Sequence, residues 1–175
     1  TTLDKLFKSA EASSAEGLTD EAIKKCESAL EILDMHFDEA LSYTHSDFLM
    51  LGGHAHWEAS NIVLAQQFYR QAFEMEYGRM DAAVAMAVSL FHLAAFSACR
   101  YHLELVCVEH PDVAEVWYYR GLLAQRDHND RLAKQFFYKA HELEPNRWHR
   151  PKTMLETEMR GLIKNLIKQL PHQYQ

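Results

Sequence analysis

Apolar and small residues recur along most of the chain at every third or fourth position. The spacing is clearest over residues 22–33, 65–75 and 133–143. It places those residues on one face of an α-helix. Alternating apolar and polar positions, and the Asn-Gly or Asp-Gly turns of hairpins, are absent from the sequence. The pattern therefore predicts an all-α protein.

One motif occurs four times: a small residue, a larger one four positions later, and a small or medium one three positions after that. The four copies are Ala22/Cys26/Ala29, Ala65/Tyr69/Ala72, Cys99/Leu103/Val106 and Ala133/Phe137/Ala140. The last two copies are 34 residues apart, as are Pro111 and Pro145, which close their units. Small residues allow two antiparallel helices to approach closely, so the motif predicts repeated helix pairs.

The last unit carries further fixed positions. They are Trp117, Gly121, Ala133, Phe137, Ala140 and Pro145. This segment resembles the tetratricopeptide repeat, whose pattern is W-x2-L-G-x2-Y, then A-x3-F-x2-A, then P. It departs from that pattern at Arg120, Ala124 and His128, where the family has Leu, Tyr and a turn Gly. The resemblance covers about residues 3–145 and implies a right-handed α-solenoid of about four helix-turn-helix repeats.

We expect residues 1–175 to form a single array. Its predicted repeats span about 3–36, 38–79, 80–113 and 114–147, followed by a capping helix over about 152–170. The pair Gly52-Gly53 predicts a kink or a helix end in the second repeat, because glycine weakens a helix interior. The amphipathic C-terminal helix would cover the apolar face of the last repeat. Alternatively, this helix could lie on an anionic membrane or dock on a partner or a second copy.

The net charge of −7 disfavours nucleic acid as a partner, because phosphate contacts need clustered Lys and Arg. Residues 1–39 carry a net −6 and residues 146–175 a net +4. That asymmetry fits either a solvated surface or head-to-tail contact between copies, so a homo-oligomer stays open. The apolar run from Met80 to Cys99 is Ala-rich and contains serines and a histidine, which favours a buried helix over a membrane span.

The three cysteines contain no C-x-x-C pair, and their odd number argues against a disulfide framework. A reducing compartment fits best, and no secretory leader pattern opens the chain, so we expect a cytoplasmic protein. The chain begins at Thr1, so a segment removed before it stays an alternative. No hydrolase motif, phosphate loop or four-ligand metal spacing is present, so we expect no enzyme activity, no metal and no cofactor.

The resemblance also indicates where a partner would bind, because the first helix of each repeat lines a concave groove in this family. In the third repeat the groove positions hold Asp81, Val84, Val88, Phe91 and His92. In the fourth they hold Glu115, Tyr118, Leu122, Gln125 and Arg126, and in the first Asp4, Phe7 and Glu11. The acids among them would repel a C-terminal carboxylate. They favour a segment with apolar anchors and basic flanks.

The sequence therefore predicts a non-enzymatic module that binds another protein or peptide, as an adaptor or assembly factor. Two alternatives come from other classes: a small cytoplasmic chaperone similar to those of type III secretion, and a self-assembling scaffold. The groove could also be filled by the chain's own terminal helix. Fold resemblance alone does not separate these functions.

Overall fold

The computed structural model describes residues 2–35, 43–147 and 156–168. All regular secondary structure in these ranges is α-helical. The helices are α1 (Thr2–Ala15), α2 (Thr19–Met35), α3 (His45–Glu58), α4 (Ile62–Met75), α5 (Met80–His92), α6 (Phe96–Glu109), α7 (Ala114–Arg126), α8 (Asp130–Leu143) and α9 (Glu156–Lys168). The chain forms two compact units, Thr1–Leu93 (unit 1) and Ala94–Gln175 (unit 2). The all-α prediction is confirmed.

Unit 1 contains α1 to α5, and each of these helices packs on the next; α1 also contacts α3. Its core has two parts. One gathers around Tyr69 and Met86, with Leu49 and Met50 from α3. The other surrounds Phe48, where α1, α2 and α3 meet. Successive helices therefore share their buried faces, as a stack of helix pairs requires.

Unit 2 contains α6 to α9, again with each helix packed on the next. Trp117 is fully buried, and its indole N–H donates a hydrogen bond to the carbonyl oxygen of Pro111 at 2.7 Å. Ile163 of α9 is buried against Tyr138 of α8. The helix α9 thus covers α8, as predicted for a capping helix, although residues 152–155 and 169–170 of the predicted span lie outside the described residues.

Glycines allow close approach within two of the helix pairs. A Cβ on Gly52 would lie 2.8 Å from the ring of Phe68. A Cβ on Gly53 would lie 2.5 Å from the ring of Tyr69. The predicted helix end at these glycines is wrong, because α3 runs unbroken from His45 to Glu58. The absence of two side chains brings α4 against α3, and the buried rings offset the cost of glycine in a helix.

A residue in the left-handed backbone region lies in the turn that follows each of α1, α3, α5 and α7. These residues are Gly17 (φ 76°), Ser60 (φ 63°), Ala94 (φ 58°) and His128 (φ 57°). Only the first is glycine, which adopts this region without steric cost. The left-handed conformation therefore recurs in these turns, although the residue type changes from one turn to the next.

The apolar run that begins at Met80 is divided between two helices. α5 ends at His92, and α6 begins at Phe96 after a short turn. Seven residues of α5 are buried, in agreement with the prediction of a buried helix. Within the described ranges, no helix is both long enough and apolar enough to cross a membrane.

Candidate functional site

The helix α7 carries most of its accessible residues on one face, opposite its buried residues; the exception is Arg120, which packs over the rings of Trp117 and Phe136. The buried residues are Ala114, Val116, Trp117, Gly121, Leu123 and Ala124. The accessible ones are Glu115, Tyr118, Tyr119, Arg120, Leu122, Gln125 and Arg126. Five of these, Glu115, Tyr118, Leu122, Gln125 and Arg126, are the predicted groove residues, and their spacing of three and four places them on one face of the helix. We call these five residues the α7 face.

Aromatic packing supports the centre of the α7 face. The ring of Tyr118 lies 5.5 Å from that of Phe137 and 5.6 Å from that of Tyr119, measured between centroids. Burial raises the pKa of Tyr119 to about 12, so its hydroxyl stays protonated at neutral pH. Tyr118 is partly exposed, as is Leu122 one turn later. The face therefore presents apolar surface that α8 holds in position.

The charged residues of the α7 face already have partners within unit 2. A carboxylate oxygen of Glu115 lies 3.5 Å from Nη2 of Arg147. The guanidinium of Arg126 lies over the ring of Phe96, 3.8 Å from its centroid, and 3.7 Å from a carboxylate oxygen of Asp127. Both ion pairs are at least partly exposed and contribute little to stability, so a bound partner could exchange them at low cost.

The predicted positions on α5, in unit 1, are less accessible. Asp81 and His92 are exposed and Phe91 is partly exposed, but Val84 and Val88 are only 8% and 7% exposed. His92 packs edge-on against Trp57 at 5.0 Å between centroids. The two valines cannot serve as surface anchors, because their side chains are already enclosed by the protein.

Asp81 is engaged by a side chain that the sequence analysis overlooked. Arg79 donates from Nε to one oxygen of Asp81 at 2.8 Å and from Nη2 to the other at 3.2 Å. Its Nη1 also donates to Asp47 of α3 at 2.8 Å, and its side chain is 18% exposed. The hydrogen bond that Arg79 donates to Asp81 raises the pKa of Arg79 further above its ordinary value. A basic residue of a partner would have to compete with this pair for Asp81.

The predicted positions on α1 also take part in internal packing. The ring of Phe7 is stacked on Tyr43 at 3.8 Å between centroids and meets Phe48 edge-on at 5.3 Å. Asp4 is partly exposed and Glu11 exposed. Phe7 thus closes the core around Phe48, and it offers a partner only part of its ring.

The three cysteines are buried thiols. Burial raises the pKa of Cys26 to about 12 and that of Cys99 to about 11, and it also raises the pKa of Cys107. A thiol with a raised pKa is a poor nucleophile at neutral pH. In the part of the chain that the structure describes, no three His, Cys, Asp or Glu side chains are grouped to hold a metal ion.

No protein-family model matches the chain, and no curated protein matches it in sequence. Solved structures do match its fold. YrrB, described as a TPR protein with an unusual peptide-binding site, is 16% identical with a TM-score of 0.66, over 81% of this chain and 69% of that one. MamA 41-end from Desulfovibrio magneticus RS-1 is 16% identical with a TM-score of 0.69, over 96% and 86%.

A tetratricopeptide repeat protein from Parabacteroides merdae ATCC 43184 is also 16% identical, with a TM-score of 0.68 over 95% of this chain and 60% of that one. Sequence identities this low establish similarity of fold and do not carry function from one protein to another. The fold agrees with the helix pairs, the Gly–aromatic contacts and the C-terminal helix described above. The chain therefore has the fold of the tetratricopeptide-repeat proteins.

Proposed function

We propose that this protein is a non-enzymatic interaction module that binds a polypeptide segment through the α7 face. The observation that carries the proposal is the division of α7, in which five predicted contact residues share the accessible face while the residues needed for packing lie opposite. Partly exposed apolar side chains gathered on one face are typical of an interaction site. The fold is shared with YrrB, a protein described as having a peptide-binding site, which agrees with this function.

The chemistry of the face defines the partner. Tyr118 and Leu122 would contact an apolar anchor, and the amide of Gln125 can both donate to and accept from a peptide backbone. Glu115 and Arg126 would select charges of opposite sign at the two ends of the segment. The partner is therefore a segment with a central Leu, Ile or aromatic residue, and the protein would act as an adaptor or assembly factor in the cytoplasm.

A displayed library of random dodecapeptides, selected on the purified chain, tests this function. The best peptide is synthesised and its affinity is measured by calorimetry for the wild type and for Leu122→Glu. We expect Leu122→Glu to weaken binding at least tenfold, because a charge would replace the apolar contact. Leu105→Glu on α6 is the matched control, since Leu105 is an exposed leucine outside the α7 face.

Circular dichroism must show the same helix content for both variants and the wild type. Equal affinities of the wild type and Leu122→Glu would refute the assignment of binding to the α7 face. A loss of affinity in both variants would point to a general effect of the added charge. Light scattering at low and high salt would separately reveal a self-assembling scaffold, because contacts between oppositely charged ends weaken with salt.

A further inference from the structure

Unit 1 contains a pocket that the α7 face does not involve. It has a volume of about 380 Å³ and lies between α2, α3 and α4. Its lining includes Leu30 and Asp34 of α2, His45 and Leu49 of α3, and Glu74 and Met75 of α4. The volume is at the lower end of the range for ligand sites, about 300–1,000 Å³, which suits one or two large side chains.

The pocket opens on a face of α3 opposite to the one that carries Asp47 and Leu51. His45 and Leu49 each precede one of those residues by two positions, which is about 200° around a helix. Asp47 lies on the side of α3 that contacts Arg79 and, through it, the start of α5. The pocket therefore lies on the other side of α3 from Asp81 and the start of α5.

The interior of the pocket is apolar and adaptable. Leu49 is buried, Leu30 is half-buried, and Met75 is 60% exposed at the C-terminal end of α4. Methionine is unbranched and flexible, and it adjusts to apolar groups of different shapes. The half-buried Leu30 and the exposed Met75 therefore offer apolar surface to an entering aliphatic or aromatic side chain.

The mouth of the pocket is acidic. Asp34 and Glu74 are well exposed, with side-chain exposures of 74% and 65%. His45 lies 3.1 Å from Asp34, and Arg70 lies 3.7 Å from Glu74 in an exposed pair on the same helix. Such exposed pairs contribute little to stability, so an entering cation could replace Arg70 as the partner of Glu74.

The position of Glu74 carries a cost for the isolated protein. It lies in the last turn of α4, which contains no basic residue. The C-terminal end of a helix is the negative end of its dipole, so a carboxylate there is destabilising. A cation bound at the mouth would interact favourably with both the carboxylate and the helix end.

We propose that this pocket is a second docking site, for a peptide segment in which Leu, Met or Phe is flanked by Lys or Arg. The apolar side chain enters between Leu30 and Met75. The basic side chain pairs with Asp34 and Glu74 at the mouth. The protein would then hold two segments at once, one on each unit, or two different partners.

The test is a selection of displayed random dodecapeptides on the full chain carrying Leu122→Glu, which disables the α7 face. We expect the enriched peptides to contain Lys or Arg next to a large apolar residue. The best one is synthesised with a fluorescent label, and its affinity is measured by anisotropy. Asp34→Lys/Glu74→Lys should weaken it at least tenfold, whereas Glu16→Lys/Glu109→Lys, which changes the net charge equally, should change it less than threefold.

A second measurement locates the peptide directly. In protein labelled with ¹³C at the methionine methyl groups, the Met75 resonance, assigned with Met75→Leu, should move on titration. The proposal is overturned if no peptide is enriched, if the enriched peptides lack basic residues, or if the charge-reversed variant binds as tightly as its control. It is also overturned if light scattering shows a dimer that Asp34→Lys/Glu74→Lys disperses, because the occupant would then be a second copy.

These outcomes are independent of the function proposed for the α7 face. Wild-type protein and Leu122→Glu should bind the pocket peptide with equal affinity. If the α7 face does not bind a peptide, the two proteins should still bind the pocket peptide equally. If the pocket does not bind a peptide, Leu122→Glu should still weaken binding of the α7 peptide. The two proposals can therefore be rejected separately.

Discussion

Gly53 lies so close to Tyr69 that a Cβ on the glycine would stand 2.5 Å from Cε1 of the ring. The same relationship joins Gly121 and Phe137, again at 2.5 Å. In both pairs the glycine is in the first helix and the ring in the second. A glycine–aromatic contact therefore sets the distance between two helices in each unit, and the ring fills the volume that a side chain at the glycine position would otherwise occupy.

The two rings differ in their freedom to move. Tyr69 is 2% exposed, whereas Phe137 is partly exposed. We therefore expect Gly53→Ala to lower the free energy of unfolding by about 2 kcal/mol through overpacking, in spite of alanine's better helix propensity. Gly121→Ala should cost less. Urea unfolding followed by circular dichroism measures both.

Gly161→Ala is the control for these variants. Among the residues that the structure describes, no atom lies within 4 Å of a Cβ on Gly161 in α9, so we expect only helix propensity to change there. We expect a gain of up to about 1 kcal/mol. If Gly53→Ala stabilised the protein as Gly161→Ala does, the close contact with Tyr69 would not be a constraint.

The helix pairs were predictable because each helix has its own three-and-four spacing of apolar residues, with small residues at the positions of close contact. The role of Gly52 and Gly53 was not, since local propensity counts a glycine only as a weak helix residue. The gain that offsets this weakness comes from Phe68 and Tyr69, fifteen or more positions later. Knowing that Tyr69 faces Gly53 requires the register between α3 and α4, which the spacing within either helix does not specify.

The candidate site was predictable in part for a similar reason. Helical geometry alone groups the five residues of the α7 face. It does not reveal that Arg79, in the connection before α5, joins Asp47 and Asp81, which are 34 positions apart. Nor does it show that Val84 is enclosed, because enclosure depends on neighbouring elements rather than on the helix that carries the residue.

The turns between paired helices provide a reciprocal test of backbone strain. Gly17 and Ser60 hold equivalent positions with φ of 76° and 63°. A side chain in this region costs about 1–2 kcal/mol, partly offset by the greater entropy of an unfolded glycine. We expect Ser60→Gly to raise the free energy of unfolding by about 0.5–1 kcal/mol and Gly17→Ala to lower it by about 1 kcal/mol.

Urea unfolding measures both turn variants. No described atom lies within 4 Å of a Cβ on Gly17, so we expect the effect of Gly17→Ala to be conformational. A destabilising Ser60→Gly would contradict the interpretation of strain. It would instead show that the serine side chain contributes more than its backbone costs.

The Arg79–Asp47 pair predicts a loss of stability in acid. Burial would raise the pKa of Asp47, but hydrogen bonds from the Thr44 backbone and from Arg79 outweigh it and hold that pKa below its ordinary value. The stabilisation is therefore complete above the unfolded pKa of about 3.9 and is lost as the pH falls through the lower folded pKa. Asp47→Asn should cost about 2 kcal/mol at pH 7, because it leaves Arg79 without a charged partner on α3.

The difference between wild type and Asp47→Asn should shrink as the pH falls below about 4, since the wild-type carboxylate is then being protonated. Urea unfolding at pH 7 and pH 3 gives this comparison. Asp112→Asn, at an exposed position in unit 2, is the control and should have little effect at either pH. A constant difference across the two pH values would show that the pair does not titrate as described.

His56 predicts a second pH dependence, in a higher range. It is 5% exposed, its ring lies 4.9 Å from that of Phe68, and its Nδ1 has no hydrogen-bond partner among the described residues. Burial lowers the pKa of His56, and the opposing effect of Glu27 is smaller. The unfolded chain, in which a histidine has a pKa of about 6.5, therefore binds a proton more readily than the folded protein does. Stability should fall as the pH falls below about 7.

His56→Leu should remove this proton binding and the unsatisfied nitrogen together. We expect the variant to exceed the wild type by about 1–2 kcal/mol in free energy of unfolding at pH 5.5, with a smaller excess at pH 8, because only the nitrogen then matters. Burial also lowers the pKa of His54 and His102, so part of the pH dependence should persist. His128→Asn, at an exposed turn position, is the control variant. Equal effects of His56→Leu at both pH values would mean that His56 takes up its proton as easily in the folded protein as in the unfolded chain.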